Sequence, residues 1–509
     1  MTATSTTLTW EAPGKGDWRG LHDHFPRALT PEYQLLLRQG IEQGEATWME
    51  RYGMPVRTLR PAFIHGRVFI TAAPLMGPAT NRFPPAFALK LALKVVPVFR
   101  KRVASSRRAV ADRVWLEETR HWYDVERAEW QHRNALLAVV DPAALEETAL
   151  VEHLCAARDN VYLGYREHFR LHGPDLIPIC RFVARATDWG IDPVDATALL
   201  AGSSPASTGA GELPPWRIVT GYDLDERTAA ELPIRPRAEA ALVVVDAAVE
   251  ASVRARVPAS DQGEWDELLA DARATYGLRD DNGLLTAAWP AGLLRRAMLE
   301  VGRRLTERGA IADPSLAVEL TVDELVDALT TGTAAATRVA AARLAERRRL
   351  SEVAAPPMLG VELVLPMHAL PPAMRTIATA LITLRELGTT PRGERQPLRG
   401  AGIGTEPAVG RACVAHDPTD AFTRFEPGDI IITAGTCPAW NTLLASAGGV
   451  VTEEGGPLSH AAVIARELGI PALIGTARAM ERIPDGATVE IDPVAGLVRV
   501  IPHATGDLP

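Results

Sequence analysis

The stretch that decides how this chain is read runs from Gly448 to Gly475, GGVVTEEGGPLSHAAVIARELGIPALIG. An apolar, β-like run ends in Thr452 and two acids. Adjacent glycines, Gly455 and Gly456, follow, then Ser459 and His460, and a helical pattern starts at once. A histidine in that place combines several properties. Neutral imidazole is a nucleophile near pH 7, able to attack phosphorus and form a phosphoramidate. The unpaired N–H groups and positive dipole end of a helix's first turn suit a group carrying about two negative charges. Glycine lets the backbone come close without a Cβ clash. Around His460, Thr452 offers a hydroxyl to phosphoryl oxygens, and Ser459 offers a helix cap or a phosphate contact. Arg466 offers a cation to Glu453, Glu454 or the phosphate. Taken alone, such a stretch also fits a histidine that merely caps a surface helix.

Working outward, short β-like runs surround this helix: GRACVAH, GDIIITA, GGVVTEE, PALIGT, TVEID and GLVRVI, the last two flanking PVA as a hairpin. Residues from about 396 to 505 therefore read as a small α/β domain. GAGIGTEPAVG (Gly400–Gly410) mimics a dinucleotide loop, but Pro407 and the β-like run after it exclude the helix such a loop needs. Upstream lie a polar linker (Gly388–Gly400), one helix (about Ala373–Leu387) and the Pro-rich APPMLGVELVLPMHALPP. About 350 residues before that read mostly as helices. Glu117–Val140 and Pro142–His172 carry amphipathic spacing, and Pro290–Gly309 has Pro at its start and Gly at its end. Thr321 and Glu324 stand at capping-box spacing. Leu200–Pro215 is a loop by composition.

Bulk properties narrow the function classes. A formal net charge of -9 argues against a nucleic-acid partner held by phosphate contacts. The four cysteines lie far apart with no C-x-x-C, as expected for reduced thiols rather than disulfides or a zinc site. The start lacks the pattern of a signal peptide, and no uncharged run is long enough to span a membrane. A cytoplasmic protein with no membrane partner and no metal is expected. His168 and His172 sit four apart, a metal-ligand spacing without a third ligand, so packing or cavity lining is the better reading. Lys90–Val110 is basic and amphipathic, but Pro97 interrupts it, which favours a solvated or partner-docking face over a membrane-surface helix. The cations of AERRRL (Ala345–Leu350) suit a helix C-terminus.

TEEGGPLSHAAVIARELGIPA resembles, over roughly 20 residues, the active-site signature of the phosphoenolpyruvate-utilising enzymes. These include pyruvate phosphate dikinase, phosphoenolpyruvate synthase, enzyme I of the sugar phosphotransferase system and rifampin phosphotransferase. In the family pattern G-G-x-x-S-H-A-A the histidine is phosphorylated, and His460 holds its place. Where the dikinases have a regulatory threonine this chain has Leu458, which implies that such regulation is absent; LSH looks like the rifampin phosphotransferase branch. HDHFPRALTP, YGLRDDNG and LLRRAMLEVGRRL look like landmarks of that branch's helical domain.

The resemblance implies an α plus α/β architecture. A mainly helical substrate domain (1–355) and a linker with one helix (356–395) would precede a swivelling β/β/α phosphohistidine domain (396–509). Fewer than 50 residues follow His460, which leaves no room for the pyruvate-binding barrel of the synthases. No ATP-grasp pattern is visible, so ATP and Mg2+ are expected to act through a separate ATP-grasp-type subunit. The phosphoryl group would pass from His460 to a hydroxyl of a small organic molecule, which inactivates it or prepares it for dehydration. Phosphoryl acceptance needs guanidinium groups and a proton acceptor, and Arg279, Asp280, Arg295, Arg296 and His168 are the candidates; ordinary helix salt bridges are the alternative. A non-catalytic scaffold or a protein-to-protein phosphate relay are the other readings.

Overall fold

Val56–Pro74, inside the region expected to be helical, instead forms a hairpin. Strands β2 (Val56–Ile64) and β3 (Arg67–Pro74) pair antiparallel, and Ile64 faces Arg67 across a two-residue turn. Its residues His65 and Gly66 have φ of 51° and 74°. Positive φ at both central positions is what a type I′ hairpin turn requires. β1 (Asp17–Gly20) pairs with β3, and β4 (Met358–Gly360) pairs with β1, giving the order β2-β3-β1-β4. Trp18, Phe69 and Leu359 form its small core.

The computed structural model describes residues 8–22, 24, 25, 27–203, 247–331, 337–388, 398–437 and 440–501, together with 218, 220, 224, 225, 227, 228, 231 and 245. Most of the expected loop at Leu200–Pro215 and of the linker at Gly388–Gly400 lies outside them. Two compact units share the chain. One comprises Met1–Asp112, Asp141–Leu171 and Leu294–Arg375; the other comprises Arg113–Val140, His172–Leu293 and Thr376–Pro509.

The first unit holds the four-stranded sheet and a tightly apposed helix pair, Pro31–Arg51 and Glu147–Arg170. Gly40 and Gly44 set their approach. A Cβ on Gly40 would lie 2.5 Å from the Tyr165 Cβ, and one on Gly44 would lie 2.4 Å from the Arg166 carbonyl oxygen. The Tyr33 and Tyr165 hydroxyls hydrogen-bond across this seam, with rings edge to face at 5.5 Å. The capping box forms as the spacing predicts. The Thr321 N–H donates to Glu324 Oε2 at 2.8 Å, and the Glu324 N–H donates to Thr321 Oγ1 at 3.2 Å. Pro97 interrupts the basic stretch as expected: one helix, Ala86–Val95, ends before it and Pro97 opens the next, Pro97–Ala111.

In the second unit, the stretch expected as one helix at Glu117–Val140 is two helices, Val114–His121 and Arg127–Ala138, joined by a π turn at Trp122–Glu126. It packs through polar anchors on the helix Gln262–Asn282. Trp115 Nε1 donates to Asp271 at 2.9 Å, Trp122 Nε1 donates to Asp281 at 3.2 Å, and Arg127 Nε reaches Asp281 at 2.6 Å. A second π turn, Gly283–Ala288, follows, and its Leu285 carbonyl accepts from Asn134 Nδ2 at 2.8 Å.

The C-terminal part of this unit is a seven-stranded mixed sheet. Its strands are β5 (Ala401–Ile403), β6 (Ala408–Val414), β7 (Ile430–Thr433), β8 (Gly449–Thr452), β9 (Ala472–Ile474), β10 (Thr488–Asp492) and β11 (Leu497–Val500), in the order β11-β10-β6-β7-β8-β9-β5. β6 to β9 run parallel, and β5, β10 and β11 are antiparallel additions. β7 and β8 are buried at every residue, which is why they read as unbroken apolar runs rather than alternating ones. Phe422, Trp440, Leu443 and the alanines of the His460 helix form one core of this region. Val451, Leu473, Ile483 and Ile491 belong to another. The β5–β6 connection confirms that Gly400–Gly410 opens this sheet and no dinucleotide-binding helix.

Candidate active site

β7 and β8 end side by side, with Thr433 opposite Thr452 and both buried. The pairing continues past the strands. The Glu453 N–H donates to the Thr433 carbonyl at 3.0 Å, and the Glu454 N–H donates to the Ala434 carbonyl at 2.9 Å. The chain then turns through Gly455 at φ 105°. A side chain there would be strained and would meet Ser459, whose Oγ lies 2.9 Å from the Cβ position. Ser459 is extended (φ -67°, ψ 161°) and caps the helix His460–Leu468, its Oγ accepting from the Ala462 N–H at 3.4 Å. Ala461, Ala462 and Ala465 are buried, so small side chains bring this helix against the sheet. Gly469 ends it in the left-handed conformation, φ 64°.

His460 is therefore the first helical residue, half-buried, at the mouth of the β8 turn. Its Nδ1 lies 2.7 Å from Thr436 Oγ1. When Nδ1–H donates to that hydroxyl, the Nε2 lone pair is the nucleophile. Thr436 escaped the sequence reading because it stands 24 residues upstream, just past β7. The parallel β7–β8 pairing brings it to the imidazole, and only that pairing could have signalled it.

The other expected site residues fall as follows. The Thr452 hydroxyl donates to the Glu454 carbonyl at 2.8 Å and so braces the turn. Arg466 does not meet Glu453 or Glu454. Its Nη2 donates to the Pro457 carbonyl and, at 2.9 Å, to Thr197 Oγ1, while Nε and Nη1 are buried with no hydrogen-bond partner among the described residues. Glu453 instead accepts from the Met480 N–H at 2.9 Å. Burial pushes its carboxyl up, and the Met480 N–H opposes that. Leu458 is buried.

The acceptor candidates do not form one cluster. Arg279 and Asp280 lie on Gln262–Asn282 in the second unit, and the Asp280 side chain is outside the described residues. Arg279 is half-buried, with Nη1 lacking a partner among the described residues. Near it, burial drives the Cys180 thiol up to about 12, with Arg279 opposing. Arg295, Arg296 and His168 belong to the first unit. His168 packs edge-on against Phe169. It shares no helical face with His172, because one helix ends at Arg170 and His172 opens the next. The sequence reading also passed over His153. Burial, and then Arg296, push this imidazole's pKa down, and its Nε2 has no hydrogen-bond partner among the described residues. No group of His, Cys, Asp and Glu suited to a metal ion occurs among the described residues.

A half-buried, oriented imidazole stands on a capped first turn at the ends of parallel strands, where the helix's first-turn N–H groups would favour an anionic group on it. Residues 425–496 match the family described as PEP-utilising enzyme, mobile domain. The chain thus carries the mobile domain of the PEP-utilising enzymes. It is 31% identical over 243 residues to a Bacillus subtilis protein named uncharacterized phosphotransferase YvkC, covering 47% of this chain and 27% of that one. It is 42% identical over 97 residues to the phosphoenolpyruvate synthase of Escherichia coli, covering 19% and 12%. With the chondramide synthase cmdD of Chondromyces crocatus it shares 32% over 261 residues, covering 49% and 6%. These matches take in at most about a quarter of each relative's length.

Proposed function

We propose that this chain is the phosphoryl-carrying part of a phosphotransferase. The observation that carries the reading is the His460–Thr436 pair on a capped first turn. In the first half-reaction the Nε2 lone pair attacks a donor phosphorus. The N–P bond forms as the donor's P–O bond breaks, and Thr436 holds the Nδ1 proton. The new anion sits where the first-turn N–H groups and helix dipole favour it. In the second, an acceptor hydroxyl attacks the phosphorus, its proton passes to a base, the N–P bond breaks and neutral imidazole returns.

ATP with Mg2+ is the proposed donor, handled by an ATP-grasp-type partner, and a small-molecule hydroxyl is the proposed acceptor. The names of the relatives YvkC and phosphoenolpyruvate synthase support the reaction class. The acceptor would bind the helical part of the chain; within the first unit Arg295 and Arg296 are its candidate cations and His153 or His168 its candidate proton acceptor. In this reading a helical part followed by a phosphohistidine part would resemble the order in rifampin phosphotransferase.

The test is phosphate incorporation. The chain is mixed with β- and γ-labelled ATP, alone and with a candidate ATP-grasp protein. Acid-labile label on the His460 peptide, arising from the β position and only with the partner, is expected. Equal labelling of the His460→Ala variant would overturn the reading.

A further inference from the structure

Between Pro74 and Asp112 the chain has eight Lys or Arg and no Asp or Glu, although acids outnumber bases 63 to 54 overall. The helix Ala86–Val95 lies in this segment. Leu89 and Leu93 seat it on the protein and are buried. Its other face is also apolar: Phe87, Leu91 and Val95 are 75%, 58% and 57% exposed. Their i, i+4, i+8 spacing lines them up as one ridge, about 12 Å long. A helix apolar on both sides has a second surface to cover. Exposed cations stand beside and after the ridge in this segment, Lys90 and Lys94 on the same helix and Arg100, Arg107 and Arg108 on the next, Pro97–Ala111. None of these five has an ion-pair partner among the described residues, whereas Lys101 is paired with Glu50.

We propose that this ridge lays the chain on an anionic lipid bilayer, with Phe87, Leu91 and Val95 entering the headgroup boundary. Pro97 does interrupt the basic stretch, but the ridge lies wholly on Ala86–Val95, before that break. No helix of the described residues is long and apolar enough to cross a membrane, so the contact is interfacial. The surface that fits must be both apolar and negative, and must yield to a convex ridge. An anionic bilayer is all three. Lys90 and Lys94 can keep their ammonium groups among the headgroups while the ridge sinks. A second copy would set these cations against one another. The acid excess of the remaining chain is repelled by the same lipid charge, which turns this face toward the membrane. The inference is independent of the chemistry at His460.

The experiment is co-sedimentation of the whole chain with vesicles of phosphatidylcholine alone and of equal parts phosphatidylcholine and phosphatidylglycerol. Binding to the mixed vesicles only, reversed by high salt, is expected. Phe87→Ser/Leu91→Ser should weaken it roughly tenfold or more, and Lys90→Glu/Lys94→Glu by a similar factor, with unchanged circular-dichroism melts because all four residues are exposed. A wild-type chain that stays in the supernatant overturns the proposal, as does vesicle binding indifferent to both variants. A dimer in light scattering that the serine variant abolishes, without vesicle binding, would give the ridge to a second copy instead.

Discussion

The sheet around His460 and the sheet under Val56–Pro74 teach opposite lessons about how a chain stores information. In the first, six of the seven strands show themselves as apolar runs, and the nucleophile, its cap and its turn fall within 452–460. In the second, β1 pairs with β4 across more than 300 residues, so that Trp18 faces Leu359. The first sheet's chemistry is local and its order is mostly parallel. The second is assembled from remote, short strands whose partners no local pattern names. Contiguity makes function readable, and remoteness hides architecture.

The contrast can be broken first at the imidazole. His460→Ala should abolish acid-labile labelling while leaving the thermal midpoint nearly unchanged, because a half-buried side chain is lost without a large cavity. Thr436→Val comes next. Losing the hydroxyl that fixes the tautomer should slow labelling roughly ten- to hundredfold, the equivalent of about 1–3 kcal/mol, and Thr436→Ser should restore it. In the other region the expected damage is to stability alone. Gly44→Ala drives a Cβ into the Arg166 carbonyl and should cost about 1–3 kcal/mol in denaturant unfolding, with His460 labelling per folded molecule retained. Thr321→Ala removes one half of the capping box and should cost about 1 kcal/mol.

The smallest effect is a pH dependence. His153 has its pKa lowered from 6.5 by burial and by Arg296. The unfolded chain therefore binds the proton more readily than the fold does. Stability from this group is complete above the unfolded value and falls as pH drops through it. Chemical unfolding followed from neutral to mildly acidic pH should show that decline, and His153→Gln should flatten it.

Much of the candidate site was legible because its signals are short-range: a double glycine, a capping serine, a histidine and a run of alanines. The Thr321–Glu324 box was legible for the same reason. Thr436 was not, since its place depends on β7 lying beside β8. The destination of Arg466 was not, because Thr197 is 269 residues away. Among helices, amphipathic spacing revealed Val114–Ala138 but not its π turn, as one inserted residue barely disturbs the apolar period. The I′ hairpin at His65–Gly66 left a readable trace, two β-rich runs meeting at a two-residue turn, that helical expectations for the region overrode.

The ladder between β7 and β8 has a consequence for inheritance. The hydroxyl on Nδ1 and the imidazole follow neighbouring strand ends, so their meeting is set by the strand pairing together with the two short turns that carry them. The pair stays in register as long as Thr436 follows β7 and the Gly455 turn and Ser459 cap follow β8. Such a unit can be cut out and joined to a different body with its reactive geometry intact. That portability accords with the finding that proteins as unlike in name as a phosphoenolpyruvate synthase and a chondramide synthase share parts of this chain.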